Sequence, residues 1–157
     1  WAWLPPQFDQ KELCKYDFIA QPSAFWTRAL WEKTEELNSS LKFTHDWDWF
    51  IRASRLCKFI PVHDYLSTAR FHPDQLTRSH IEARYLEISK IIHEYSDEST
   101  IRVYDLLIKR RKLMKRQLEF LKRLRLFHLR FLLCPGLFLR LGRYRFNYIL
   151  STLFMVI

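Results

Sequence analysis

Phe43-Thr44-His45-Asp46-Trp47-Asp48-Trp49-Phe50-Ile51-Arg52 brings two carboxylates, two indoles and a guanidinium into one short stretch. On a strand Asp46 and Asp48 would share a face. At the start of a helix they lie about 200° apart, because each residue advances about 100°. The second geometry is the expected one, since Trp47, Phe50, Ile51 and Ser54 form a single stripe and predict a helix from Trp47 to Cys57. Asp46 then falls at or near the N-cap, where a carboxylate accepts free backbone N–H groups and feels the positive end of the helix dipole. Such a place suits an acid that must stay ionised, and it equally suits a plain helix cap. Asp48 can form an i, i+4 pair with Arg52. Trp47 and Trp49 fit core and cleft packing better than ligand contact.

Upstream, Tyr16 to Ala20 is a short apolar run stopped by Gln21-Pro22-Ser23. Proline fixes its own φ and pushes Gln21 into an extended conformation, so a strand end or turn is expected there. From Ser23 the period changes. Phe25 with Ala29, and Trp26 with Leu30, predict a helix capped by Ser23 and running to about Glu36. Downstream, Lys58–Val62 and Tyr65–His72 read as short strands, with Pro61 demoting the first to an edge or a bulge. Pro73 to Thr77 is a turn. His80 to Tyr95 is a helix by the spacing of Ile81, Tyr85, Ile88, Ile91 and Ile92, followed by a polar gap from Ser96 to Thr100.

Ile101 to about Leu133 is one long helical pattern, with an apolar face from Ile101 and Tyr104 to Leu121 and Leu124, and Lys/Arg over the rest. Cys134-Pro135-Gly136 breaks it before a second basic stretch and the apolar run to Ile157. No uncharged run reaches the 18 or so residues of a spanning helix. Charge divides the same way. Residues 1–100 hold 12 Lys/Arg against 15 Asp/Glu, and residues 101–157 hold 14 against 2. The overall excess of +9 therefore averages two regions suited to different partners.

Other features narrow the function classes. With only two glycines, Gly136 and Gly142, no glycine-rich phosphate loop exists in the sequence. Cys14, Cys57 and Cys134 are too far apart for a zinc or redox motif, and point to a reducing compartment. Hydrophobic residues at 48% exclude disorder for most of the length. The chain starts at Trp1 and ends within an apolar run, so a piece of a longer polypeptide is expected.

Three stretches carry a resemblance. They are Asp17-Phe-Ile-Ala-Gln-Pro-Ser-Ala-Phe-Trp-Thr-Arg28, Leu41-Lys-Phe-Thr-His-Asp-Trp-Asp-Trp-Phe-Ile-Arg52, and Arg70-Phe-His72. Their order, a Gln-Pro-Ser-x-Phe-Trp turn, a D-x-D-x-x-x-R helix start and an Arg-x-His, resembles the C-terminal half of the catalytic domain of family 2 glycosyltransferases. The match covers roughly residues 16–80. It implies an α/β fold, a partial GT-A (Rossmann-like) domain lacking its nucleotide-binding half, over residues 1–80, followed by a helical, strongly basic extension over 81–157. It also implies transfer of a sugar from a nucleotide-sugar donor to an acceptor hydroxyl with inversion. Asp46 matches the catalytic base. Gln21, Trp26 and Asp48 match the acceptor side, Arg70 the donor diphosphate, and His72 the shell of a divalent metal, Mg²⁺ or Mn²⁺, whose main ligands belong to the missing half. Without that half the polypeptide is expected to be inactive.

The sequence departs from the family where Lys33-Thr34-Glu35-Glu36 offers no glycine for a left-handed helix end, at a cost of about 1 kcal/mol if that geometry is kept. His45 also stands where an acid often precedes the base. Two residues have plainer uses: His72 as a hydrogen-bonded structural histidine, and Gln21 as a turn residue.

For residues 101–157 the expectation is a membrane-surface helix, its Lys/Arg on anionic lipid and its Leu/Phe beneath the headgroups. This suits an enzyme with a glycan or lipid-linked acceptor, cytoplasmic and peripheral at the inner face of a membrane. Simple packing on the acidic part is the plainer alternative. Nucleic acid fits less well, because the basic residues are interleaved with Leu. The rival to the enzyme is a non-catalytic basic helical module binding a membrane surface or nucleic acid.

Overall fold

The structure, a computed structural model, describes residues 7–68 and 80–133, with 135 and 138. The chain divides into two compact units, Trp1–Asp97 and Glu98–Ile157. Among the described residues the first holds α1 (Gln10–Leu13), α2 (Arg28–Thr34), α3 (His45–Ser54) and α4 (Ile81–Tyr95), with a 3₁₀ turn at Gln21–Ser23. In the second are α5 (Glu98–Lys109), α6 (Arg111–Arg123) and a 3₁₀ segment at Phe127–Leu133.

Among the described residues all regular structure is helical, which corrects the expected α/β, partial GT-A fold. The strand-like signals are real but find no partner strand among the described residues. Tyr16 and Phe18 alternate inward, 4% and 3% exposed, as on a half-buried strand. A ladder, however, needs a second edge to receive its N–H and C=O groups. Among the described residues no strand pairs with Lys58–Val62 or with 65–68 either, and Pro61 removes a donor from the first. Side chains tether these segments instead: Phe59 stacks on Phe8 with ring centroids 4.9 Å apart and meets Phe50 edge-on at 6.4 Å. Ser67 Oγ hydrogen-bonds Ser23 Oγ.

Helix α2 is also shorter than its spacing predicts, Ser23 lying in the 3₁₀ turn instead of at the helix start. Ser23 is engaged with Ser67, and the helix starts later, with the Thr27 hydroxyl accepting from Leu30 N–H at 3.2 Å. Phe25 is left outside it, 83% exposed. The single long basic helix is likewise interrupted, at Arg110 and again at Leu124-Arg125-Leu126, where Arg125 takes φ 57°. Arg70, His72, the 73–77 turn and the residues from Leu139 onward lie outside the described residues. No helix among the described residues is long and apolar enough to cross a membrane.

Helix α3 is the strut of the first unit. Trp47, Trp49, Phe50, Ile51 and Ala53 are all 3% exposed or less, so apolar groups surround it rather than lie on one stripe. Its polar groups tie it to α1, α2 and α4. The Trp47 indole donates to Leu13 O at 2.7 Å, at the end of α1. Arg52 donates to Thr34 O and to Glu36 O (2.9 Å), and the Trp49 indole donates to Glu35 O at 3.3 Å. The carbonyls that α2 leaves open at its C-terminus are thus filled by side chains of α3. Glu35 holds φ 68°, ψ 174° there, a region that favours glycine.

Helix α4 closes the other end. Tyr85, Ile88, Ile91 and Ile92 are buried along the stripe that their spacing predicts. Glu87 lies among them, and its carboxylate accepts from the N–H groups of Lys42 (2.9 Å), Phe43 (2.7 Å) and Thr44 (3.2 Å) and from the Thr44 hydroxyl (3.2 Å). The anion at the N-terminus of α3 is therefore a side chain from α4.

Candidate active site at the start of helix α3

The two acids of the D-W-D sequence meet different surroundings. Asp48 is 2% exposed; one oxygen accepts from Arg52 Nε at 3.0 Å and the other from the Tyr95 hydroxyl at 2.7 Å. Burial, and then the hydrogen bond and charge of Asp48, push the Tyr95 hydroxyl above its ordinary range. Both oxygens of Asp48 are thus spent on joining α3 to itself and to α4.

Asp46 lies in the first turn, two residues beyond the N-cap Thr44, and is half-buried. One oxygen accepts from the N–H of Trp47 at 2.9 Å. Where Trp47, Asp48, Trp49 and Arg52 all reach other segments, the hydrogen bond of Asp46 stays within its own helical turn.

Its electrostatic neighbour is Asp17, whose Oδ1 accepts from Ile19 N–H at 3.3 Å. Burial pushes the Asp17 carboxyl up to about 7, and the charge of Asp46 adds to the rise; the Ile19 N–H and the Arg84 guanidinium oppose it. Near neutral pH this is a pair of acids of which one readily keeps its proton.

Trp26 stands at the edge of an aromatic cluster, with ring centroids 4.9 Å from Trp49, 6.3 Å from Trp31 and 6.3 Å from Phe50. It remains 42% exposed, so the indole is held by neighbours on one side and open on the other. Gln21 is exposed at the first position of the 3₁₀ turn, and its carbonyl accepts from Ala24 N–H at 3.2 Å. Arg70 and His72 lie outside the described residues. Among the described residues no three His, Cys, Asp or Glu side chains gather into a group that could hold a metal ion. An open hollow of about 450 Å³ lies elsewhere in the unit, between the α2–α3 connection and α4, and is lined by Asn38, Leu41, Lys90 and Glu94 among others.

Sequence reasoning missed Asp17, Glu87 and Tyr95. Asp17 sits between two inward-facing aromatics, a place where a carboxyl is half-buried. Glu87 lies next to Ile88 on the apolar stripe of α4, and a carboxylate at such a position signals a buried partner. Tyr95 carries no signal of its own, because its bond to Asp48 spans 47 positions. No family model, curated protein or solved structure matches the chain.

Proposed function

We propose that this chain is the acceptor-side part of an inverting, nucleotide-sugar-dependent glycosyltransferase, with Asp46 as its general base. The observation that carries the reading is the contrast within α3: Trp47, Asp48, Trp49 and Arg52 reach other segments, whereas the half-buried Asp46, with Asp17 as its electrostatic neighbour, accepts a bond within its own turn. The ordered Gln-Pro-Ser, D-x-D and Arg-x-His motifs supply the reaction class.

In the reaction Asp46 takes the proton of an acceptor hydroxyl. The freed oxygen attacks the anomeric carbon of the donor, the bond from that carbon to the diphosphate breaks, and the nucleoside diphosphate leaves with the electron pair. A general base so placed contributes about 10²–10⁴-fold. The open face of Trp26 offers a platform for a sugar ring, and the exposed Gln21 amide a polar contact beside it. Asp48 positions the helix through Arg52 and Tyr95 rather than reaching for acceptor. Mg²⁺ or Mn²⁺ would stabilise the leaving diphosphate, but the described residues bring no ligand set together. The second unit supports attachment at the inner surface of a membrane, where a glycan or lipid-linked acceptor would be met.

In the full-length protein, Asp46→Asn should lower sugar transfer about 10²–10⁴-fold and leave nucleotide-sugar binding within about twofold, since the acid acts on the acceptor. Turnover retained in that variant would move the base elsewhere. A protein that neither binds nor hydrolyses nucleotide sugars would remove the enzyme reading altogether.

A further inference from the structure

Helix α6 carries two apolar stripes, and only one of them is covered. Met114 and Leu118 are buried, 4% and 0% exposed, and Leu121 beside them is half-buried. Leu113 and Phe120, seven residues apart and so within about 20° of each other around the helix, are 57% and 61% exposed. Leu124 continues the same line at the helix end, 50% exposed, and Leu126 and Leu132 follow at 38% and 60%. The centre of this second stripe lies roughly 120° from the buried one.

Charge surrounds it. Arg111, Lys112, Lys115, Arg116, Lys122 and Arg123 oppose one acid, Glu119, within the helix. Arg116 and Arg123 flank the exposed stripe on the side away from Met114 and Leu118. An apolar line bordered by cations on a helix too polar to enter a bilayer fits an interfacial position: side chains below the headgroups, cations level with the phosphates.

We infer that the Leu113–Phe120–Leu124 face of α6 is the element that inserts into an anionic lipid surface, the buried Met114–Leu118 face being unavailable for it. This rests on the proposed membrane attachment and names its contact residues. Nucleic acid is disfavoured as occupant, since phosphate pairing would use the Lys/Arg while leaving Leu113 and Leu124 in water.

The test is binding of the full chain to vesicles of phosphatidylcholine with and without phosphatidylserine, over a range of salt, with a single-stranded RNA as competitor. Binding should require phosphatidylserine and weaken with salt. Leu113→Ser with Phe120→Ser should lower it about tenfold or more. Leu86→Ser, which removes a 68% exposed leucine from α4 in the other unit, should leave it unchanged. Circular dichroism of each variant reports whether the helices persist. If the double variant stays helical and binds phosphatidylserine vesicles like the parent, the insertion face is wrong and membrane attachment stands. If the parent binds no vesicle, or prefers RNA to lipid, both fail.

Discussion

The N-terminal end of α3 and the basic helix α6 treat charge in opposite ways. Around α3 three charged groups are buried or half-buried and each meets a fixed partner: Glu87 on the amides of residues 42–44, Asp48 on Arg52 and Tyr95, and the half-buried Arg52 on the open carbonyls of α2. Along α6 Lys112, Lys115 and Arg116 are exposed beside an exposed phenylalanine and leucine. A buried carboxylate without partners is costly, so its position informs about the chain's own packing. An exposed cation is cheap to keep and to lose, so a run of them informs about what the surface meets. Asp46 belongs to the first region by place and to the second by behaviour, and that makes it the candidate for chemistry.

The contrast is most exposed to refutation at Asp46. Asp46→Asn should cost about 10²–10⁴-fold in transfer by the full-length protein and leave its urea midpoint nearly unmoved. A large loss of stability instead would make Asp46 another packing carboxylate.

Asp17 gives the next effect, in stability against pH. Its folded value of about 7 lies above the ordinary 3.8, so the folded state holds the proton more tightly than the unfolded one. Its stabilising share is complete below pH 3.8 and is lost as pH rises through 7, with an upper bound of about 4 kcal/mol. Denaturation of the parent and of Asp17→Asn over this range should differ in slope, the variant flatter. Parallel slopes would show that Asp17 titrates as in the unfolded chain.

Glu87→Ala should destabilise by about 3 kcal/mol, because it strands three amides at the start of α3. Lys112→Ala or Arg116→Ala, each removing an equally charged side chain from α6, should change stability by less than about 0.5 kcal/mol. Equal costs in the two regions would erase the distinction between them.

The smallest effect is a gain. Glu35→Gly removes the side-chain penalty at φ 68° and should stabilise by about 1 kcal/mol on balance. A loss would mean that the Glu35 side chain contributes contacts outweighing its strained backbone.

Much of the candidate site is legible before any coordinates. The helix through Asp46-Trp47-Asp48, the Asp48–Arg52 pair and the apolar stripe of α4 all follow from spacing, because residues three and four apart on a helix must meet. The positive φ at Glu35 stands where the missing glycine draws attention to it. The alternation of Tyr16 and Phe18 is legible too, yet it reports which side chains turn inward and is silent on whether another strand lies alongside. For that reason the expected sheet was the main error.

Charge balance, helical period and the local chemistry of Asp46 are thus properties of short stretches, decided by neighbours within a turn or two. The Asp17–Asp46 neighbourhood, the seat of Glu87 on residues 42–44, the Tyr95–Asp48 bond and the choice of which α6 face stays covered belong to the assembled chain. Each joins or shields groups through long-range packing. Hydrogen bonds and desolvation act over a few ångströms in space, with no regard to separation along the backbone.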